Sequence, residues 1–256
     1  MLLLKKLKPI YVHFLKQMTL CSALTSPNFQ SLSSSVPRTN LKFTSMIVFD
    51  IETNALKIKD ITKIWCCAIN SGEETALYIN PDEWLPMLEN AEVLIGHNIV
   101  QYDIPAIQKM YPSFKPKGKV IDTLILGRMF YPDILEIDFK RKWETMPMKL
   151  YGRHSLEAYG HRLKLHKKHA NLEDFSKLSE ELMERCKCDV DVNAKLWNRL
   201  QPKVDLYPLA VDLEMRFATL ISKQERSGFA FDVKGALELE ARIVEKLNTL
   251  SERLRQ

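Results

Sequence analysis

Asp50 and Glu52 stand two residues apart in the run V-F-D-I-E-T. In a strand this spacing turns both carboxylates to one face, so one metal ion can be held by both. Without a cation, two like charges this close disfavour each other's ionisation, and the placement costs stability. Asp103 closes the stretch G-H-N-I-V-Q-Y-D, six residues beyond the apolar run Glu92 to His97 and at the entry to a helix. An aspartate there otherwise serves as an N-cap. Asp189 lies in R-C-K-C-D-V within a long helical pattern, where an acid is ordinarily solvated surface, as Asp191 beside it is expected to be.

The chain that must position these acids becomes regular at Met46. Strands are expected at Met46 to Ile51, Ile61 to Asn70 and Thr75 to Ile79, forming a meander with Ser71-Gly72 between the last two. Pro81-Asp82-Glu83 opens a helix ending near Asn90, and Glu92 to His97 reads as a buried strand. A helix at Ile104 to Met110, a strand at Lys119 to Ile121 and a helix from Asp122 to Phe130, capped by Asp122, follow. This order predicts an α/β domain with a mixed sheet and flanking helices, its chemistry at strand ends and the loops after them. Residues 132 to 153 read as a long exposed loop. Further helices are expected at His154 to Leu163 and Glu180 to Leu200, with a break at Gln201-Pro202 that marks a candidate boundary. Beyond it come a helix at Leu209 to Arg226, a turn at Ser227-Gly228, a short strand Phe229 to Asp232 and an amphipathic helix from Val233 onward.

In their order, Asp50, Glu52, Asp103 and Asp189 resemble the signature of the D-E-D-D exonuclease superfamily. That resemblance implies a ribonuclease-H-like sheet that gathers the four acids around two divalent ions. Four acids with no compact thiolate site suit Mg2+, with Mn2+ able to substitute. In such sites the ions activate the attacking water and stabilise the leaving 3′ oxygen. From Met46 to Arg255 the sequence resembles, more narrowly, the family A replicative DNA polymerases of short-tailed bacteriophages. The motifs that carry this are M-I-V-F-D-I-E-T-N-A-L (46 to 56), V-I-D-T-L-I-L-G-R (120 to 128), H-S-L-E-A-Y-G-H-R-L (154 to 163) and K-Q-E-R-S-G-F-A-F-D (223 to 232). The resemblance implies that Thr53 and Leu56 contact the terminal nucleotide, that Asn98 and Tyr102 shape the second motif, and that residues 209 to 256 open a polymerase domain. One position departs from the pattern. Four residues before the last aspartate the family carries a tyrosine, or a histidine in sister groups, to orient water. Here it is Arg185, which stays protonated and can pair with a phosphate or with Asp189 but cannot accept a proton.

Charge distribution bears on the nucleic-acid reading. The 256 residues carry a formal charge of +5, from 37 Lys and Arg against 32 Asp and Glu. Residues 1 to 45 hold six of the basic residues and no acid, leaving 31 against 32 in the remainder, so basicity belongs to the leader. That Ser-rich leader reads as disordered. It is either an extension upstream of a true start at Met46 or an organelle transit peptide. From Lys140 to Lys168 nine Lys and Arg are interleaved with Trp143, Tyr151 and Tyr159, a composition suited to single-stranded DNA; Lys149, Arg153 and Arg162 are the candidate contacts. A zinc site from His161, His166, His169, Cys186 and Cys188 matches no structural zinc spacing. The odd cysteine count argues against a secreted disulfide framework, and no apolar stretch is long enough to span a membrane.

The sequence therefore predicts three parts: the leader at 1 to 45, a metal-dependent 3′→5′ exonuclease domain at 46 to 201, and the start of a polymerase domain at 202 to 256. The substrate is the 3′ end of single-stranded or frayed DNA, in the cytoplasm of a bacterial host, or in an organelle if the leader is a transit peptide. The chain alone is expected to have no polymerase activity. The alternative is a catalytically weak DNA-holding or docking module that completes a polymerase encoded on a separate chain.

Overall fold

The computed structural model describes residues 45–72, 74–165 and 177–255. The expected leader, the histidines at 166 and 169, and the lysines at 167 and 168 lie outside the described residues. Strand β1 (Met46–Thr53) occupies the centre of a five-stranded sheet of order β3-β2-β1-β4-β5. Strands β2 (Ile64–Asn70) and β3 (Thr75–Tyr78) run antiparallel to their neighbours. Strands β4 (Val93–Gly96) and β5 (Lys119–Asp122) pair in parallel. The sheet is mixed, as the alternation of elements predicts.

A central strand is covered on both faces, and the side-chain alternation of β1 divides the core in two. Ile47, Phe49 and Ile51 pack beneath helices α1 (Pro81–Asn90) and α2 (Asp103–Met110), with Trp84, Leu88, Ala106 and Ile107. Val48 faces the other layer, with Cys66, Ala68, Val93 and Ile95. That layer is closed by α3 (Thr123–Phe130), α5 (Leu156–Arg162) and the long helix α6 (Glu180–Leu206). Asp50 and Glu52 share the face of Val48 and so look toward α6. Helix α6 buries Leu182, Cys186, Val190, Asn193, Leu196, Trp197 and Leu200, a stripe at helical spacing. The face that meets the sheet thus also brings Asp189 to it.

Four local expectations are corrected. Residues 132 to 153 contain a helix, α4 (Ile134–Arg141), and a 3-10 turn at Met148–Leu150. The helix was hidden by its short length and by apolar residues that stay exposed, among them Leu135 and Phe139. The chain does not break at Gln201-Pro202, because α6 continues to Leu206. Pro202 forfeits one backbone bond close to the helix end, while Leu200 and Val204 on either side pack into the core. Residues 229 to 232 form no strand: they pair with none of the sheet, and Phe229 and Phe231 are exposed. Arg162 is not a free surface cation. Its guanidinium is buried against Asp138 at 2.6 Å, and Asp138 also accepts from Trp143 Nε1 and the Gly152 amide.

Two further helices follow. Helix α7 (Pro208–Ser227) packs Val211, Met215 and Ser222 against the body, while α8 (Val233–Arg255) buries none of its residues. No helix among the described residues is long and apolar enough to cross a membrane.

Candidate active site

The C-terminal half of β1 and the loop after β4 open into one cleft. It is lined by Asp50, Glu52, Thr53, Leu56, His97, Asn98, Tyr102, Asp103, Arg185 and Asp189, together with Ile51 and Ala55. This is the carboxyl edge of the parallel strands, where open α/β sheets place their chemistry. Asp50, Glu52 and Asp189 offer ligand oxygens within 4.8 Å of one another. Asp103 lies in the same cleft at 3% exposure, its Oδ1 accepting from the Ile51 amide at 3.2 Å. It is the first residue of α2, but its carboxylate is aimed at β1 instead of capping its own helix.

The electrostatics follow from packing acids together away from water. Burial raises Asp50 well above the ordinary carboxylate range, and the negative charges of Asp103, Asp189 and Glu52 raise it further. Burial lifts Glu52 to about 7, opposed by the Arg185 guanidinium. It lifts Asp103 to about 7 as well, opposed by the backbone amides that it accepts. Such a cluster is costly when ionised and gains most from a positive partner. Arg185 partly supplies one: its Nε stands 3.7 Å from both Glu52 Oε1 and Asp189 Oδ2. The Arg185–Asp189 pair is one helical turn apart, the spacing that allows the contact.

The remaining cleft residues are held by local bonds. The Tyr102 hydroxyl donates to Ala55 O at 2.7 Å and is in hydrogen-bond contact with the Thr53 hydroxyl. Leu56 projects at the mouth, 80% exposed. Asn98 takes a left-handed backbone conformation (φ 67°), which asparagine tolerates better than most residues. Its carbonyl closes the 97 to 102 loop by accepting from the Gln101 and Tyr102 amides. Lys149 and Arg153, in contrast, are exposed and do not line the cleft.

Several residues support the site in ways that the sequence did not assign to them. Asp122 caps α3 through Leu124 N, as expected, and the same carboxylate accepts from the amides of Asn98 and Val100. Thr123 is buried between His97 Nδ1 and Asn193 Oδ1, at 2.9 Å and 2.6 Å. The Cys186 thiol donates to Asp50 O at 3.5 Å. The V-I-D-T motif contained the signal for Asp122 and Thr123; nothing in the local sequence marks Asn193 or Cys186.

No family model matches the sequence. The chain is 31% identical over 262 residues to the DNA-directed DNA polymerase of Escherichia phage T7, covering 81% of this chain and 37% of that polymerase. It is 29% identical over 261 residues to the DNA-directed DNA polymerase of Enterobacteria phage T3, with the same coverage. The chain therefore spans 37% of the length of each of these relatives. Among solved structures, the fold is similar to the apo form of a nuclease, with a TM-score of 0.53 and 18% identity over 75% of this chain and 89% of that one. At that identity the likeness concerns the fold. The chain is thus similar in sequence to a segment of the phage DNA-directed DNA polymerases, and its own fold is similar to that of a nuclease.

Proposed function

We propose that this chain is a metal-dependent 3′→5′ exonuclease that removes terminal nucleotides from single-stranded or frayed DNA, as the proofreading part of a DNA polymerase. The observation that carries this is the convergence of Asp50, Glu52 and Asp189 within 4.8 Å, with buried Asp103 in the same cleft. Asp50, Glu52, Asp103 and Asp189 would hold the cations, and an all-oxygen donor set fits hard ions such as Mg2+, or Mn2+ in its place. The raised carboxylates support this, since their crowding is relieved by positive charge. A bound divalent cation supplies the Lewis acidity that makes water reactive near neutral pH and offsets charge building on the phosphate.

The chain's own residues do the rest. Exposed Leu56 at the mouth, with Tyr102 and the buried Thr53 lining the cleft behind it, receives the last nucleotide. Asn98 and Tyr102 keep the loop in register with Asp103. Arg185 takes no proton from water, because arginine remains charged; its work is to balance Glu52 and Asp189 and to pair with a phosphate. Lys149 and Arg153 sit away from the cleft and track the backbone of the incoming strand. On this reading residues 46 to 201 belong to the exonuclease domain and 202 to 256 to the beginning of the polymerase domain, with α6 running unbroken across the boundary.

The test uses single-stranded DNA labelled at its 5′ end. With Mg2+ the label is expected in a ladder of products shortened from the 3′ end, and EDTA stops the reaction. Release of the 5′ label as a mononucleotide, or internal cleavage, contradicts the assignment.

A further inference from the structure

Helix α7 reaches the carboxylate site through one buried hydroxyl. Ser222 is 1% exposed and is the only polar residue among the three that α7 buries. Its Oγ donates to Val100 O at 2.9 Å. Arg226 Nη1 donates to the same Oγ. Arginine only donates, so the serine hydroxyl keeps its single proton for an acceptor, and of the two within reach the Val100 carbonyl at 2.9 Å is nearer than Gln101 Oε1 at 3.4 Å.

Val100 is thereby held at both ends of its backbone. Its amide is bound by Asp122 Oδ2 at 3.1 Å, and its carbonyl by Ser222. The next residue is tied to the same helix, Gln101 Nε2 donating to Glu225 Oε2 at 2.8 Å. Asp122 itself touches α7, its amide lying 3.3 Å from Met215 Sδ. Tyr102 and Asp103 follow immediately in the chain. The start of the loop is held separately by Asp122 and Thr123, and its end by the Tyr102 hydroxyl on Ala55 O; the carbonyl of Val100, between them, is held by α7.

We propose that Ser222, supported by Glu225 and Arg226, is a positioning residue for the carboxylate site: it pins the 97 to 102 loop to α7 and so sets where Tyr102 and Asp103 stand. Movement of α7 is then felt at the site without any contact between that helix and a nucleic acid. This rests on the nuclease reading only for the use made of the site; the mechanical coupling stands on the bonds themselves.

The experiment compares Ser222→Ala with Thr219→Ala in the full chain. Thr219 is exposed on the same helix and its hydroxyl bonds only to Met215 O, so it controls for loss of a hydroxyl from α7. Amide hydrogen exchange and Mn2+ affinity are measured for each. Loss of one buried hydrogen bond is worth about fivefold in local opening, so Ser222→Ala is expected to speed exchange at Val100, Tyr102 and Ile104 roughly fivefold and to weaken Mn2+ binding. Thr219→Ala is expected to change neither. Exposed Glu225→Ala, which leaves the core untouched, gives a smaller rise at the same amides and decides the matter if Ser222→Ala does not fold. Unchanged exchange in Ser222→Ala, or an equal rise with Thr219→Ala, overturns the proposal. Wild-type protein that takes up no Mn2+ overturns the nuclease reading instead, while the exchange comparison still decides the coupling.

Discussion

Metal-free protein is expected to lose stability as pH rises from 6.5 to 8. Glu52 and Asp103 both titrate near 7 in the folded chain, against 4.5 and 3.8 ordinarily. A carboxyl raised by folding keeps a proton that the unfolded chain has released, so its contribution is complete below the unfolded value and is lost as pH climbs through the folded one. His97 and His154, lowered to about 4 by burial, run the opposite way between pH 4 and 6.5. At pH 6.5 they are neutral in the folded chain but half charged in the unfolded one, so between pH 6.5 and 8 each still returns about 0.4 kcal/mol. A group at 7 loses about 0.8 kcal/mol across pH 6.5 to 8. Two such groups lose about 1.6 kcal/mol, which the two histidines reduce to about 0.8 kcal/mol net; Asp50, raised by the same burial, acts in the same direction as Glu52 and Asp103. For a chain of this size that lowers the melting temperature by about 2–3 °C. Divalent cation at 100 times its Kd returns about 2.7 kcal/mol, so Mg2+ or Mn2+ should more than restore the midpoint at pH 8. The assay is thermal unfolding in EDTA and in Mg2+ across this range. A midpoint that stays level or rises toward pH 8 in EDTA, with no response to either metal, refutes the account of the cluster.

Three other outcomes follow from the same structure. Arg185→Tyr, which places a water-orienting hydroxyl beside Asp189, is expected to raise turnover by about tenfold or more; an unchanged rate would mean that Arg185 does not limit hydrolysis. Asp138→Asn leaves the Arg162 guanidinium, 9% exposed, without its counter-ion, and should cost about 3–5 kcal/mol in a denaturant titration. Burial pushes Asp138 up, but Arg162, the Gly152 amide and Trp143 Nε1 outweigh it and hold the group below the ordinary 3.8, so its contribution should be present above that unfolded value and fade as pH falls through the folded one. Lys149→Ala combined with Arg153→Ala should flatten the salt dependence of single-stranded DNA binding by about 1.4 in log–log slope, and an unaltered slope would remove both from the interface.

Much of this was legible in the sequence because it depends on short periods. The i, i+2 spacing of Asp50 and Glu52 fixes their shared face once a strand is granted, and the order of strands and helices along the chain fixes a mixed sheet. The convergence of Asp103 and Asp189 on the same cleft could be expected only from the ordered motif, since each is an ordinary helix residue by local measure. What escaped depends on contacts distant in sequence. Arg162 lies in a basic run and reads as surface, but Asp138, from the stretch expected to be a loop, draws it into the core. Phe229 to Asp232 has strand-like alternation, yet it joins neither edge of the sheet and its aromatic rings stay exposed. Pro202 looks like a stop because its cost is local, whereas the packing of Leu200 and Val204 that carries α6 past it is not. The hold of Ser222 on Val100 spans 122 positions and has no signature of its own.

The most direct test of the carboxylate site is the release of mononucleotides from single-stranded DNA labelled at its 3′ end, with wild-type chain and Asp50→Ala side by side. The prediction is Mg2+-dependent release by the wild type and a loss of at least about 10³-fold in the variant, with Asp50→Ala still folded but no longer stabilised by the ion at pH 8. Equal release by both proteins, or release undiminished in EDTA, would contradict it.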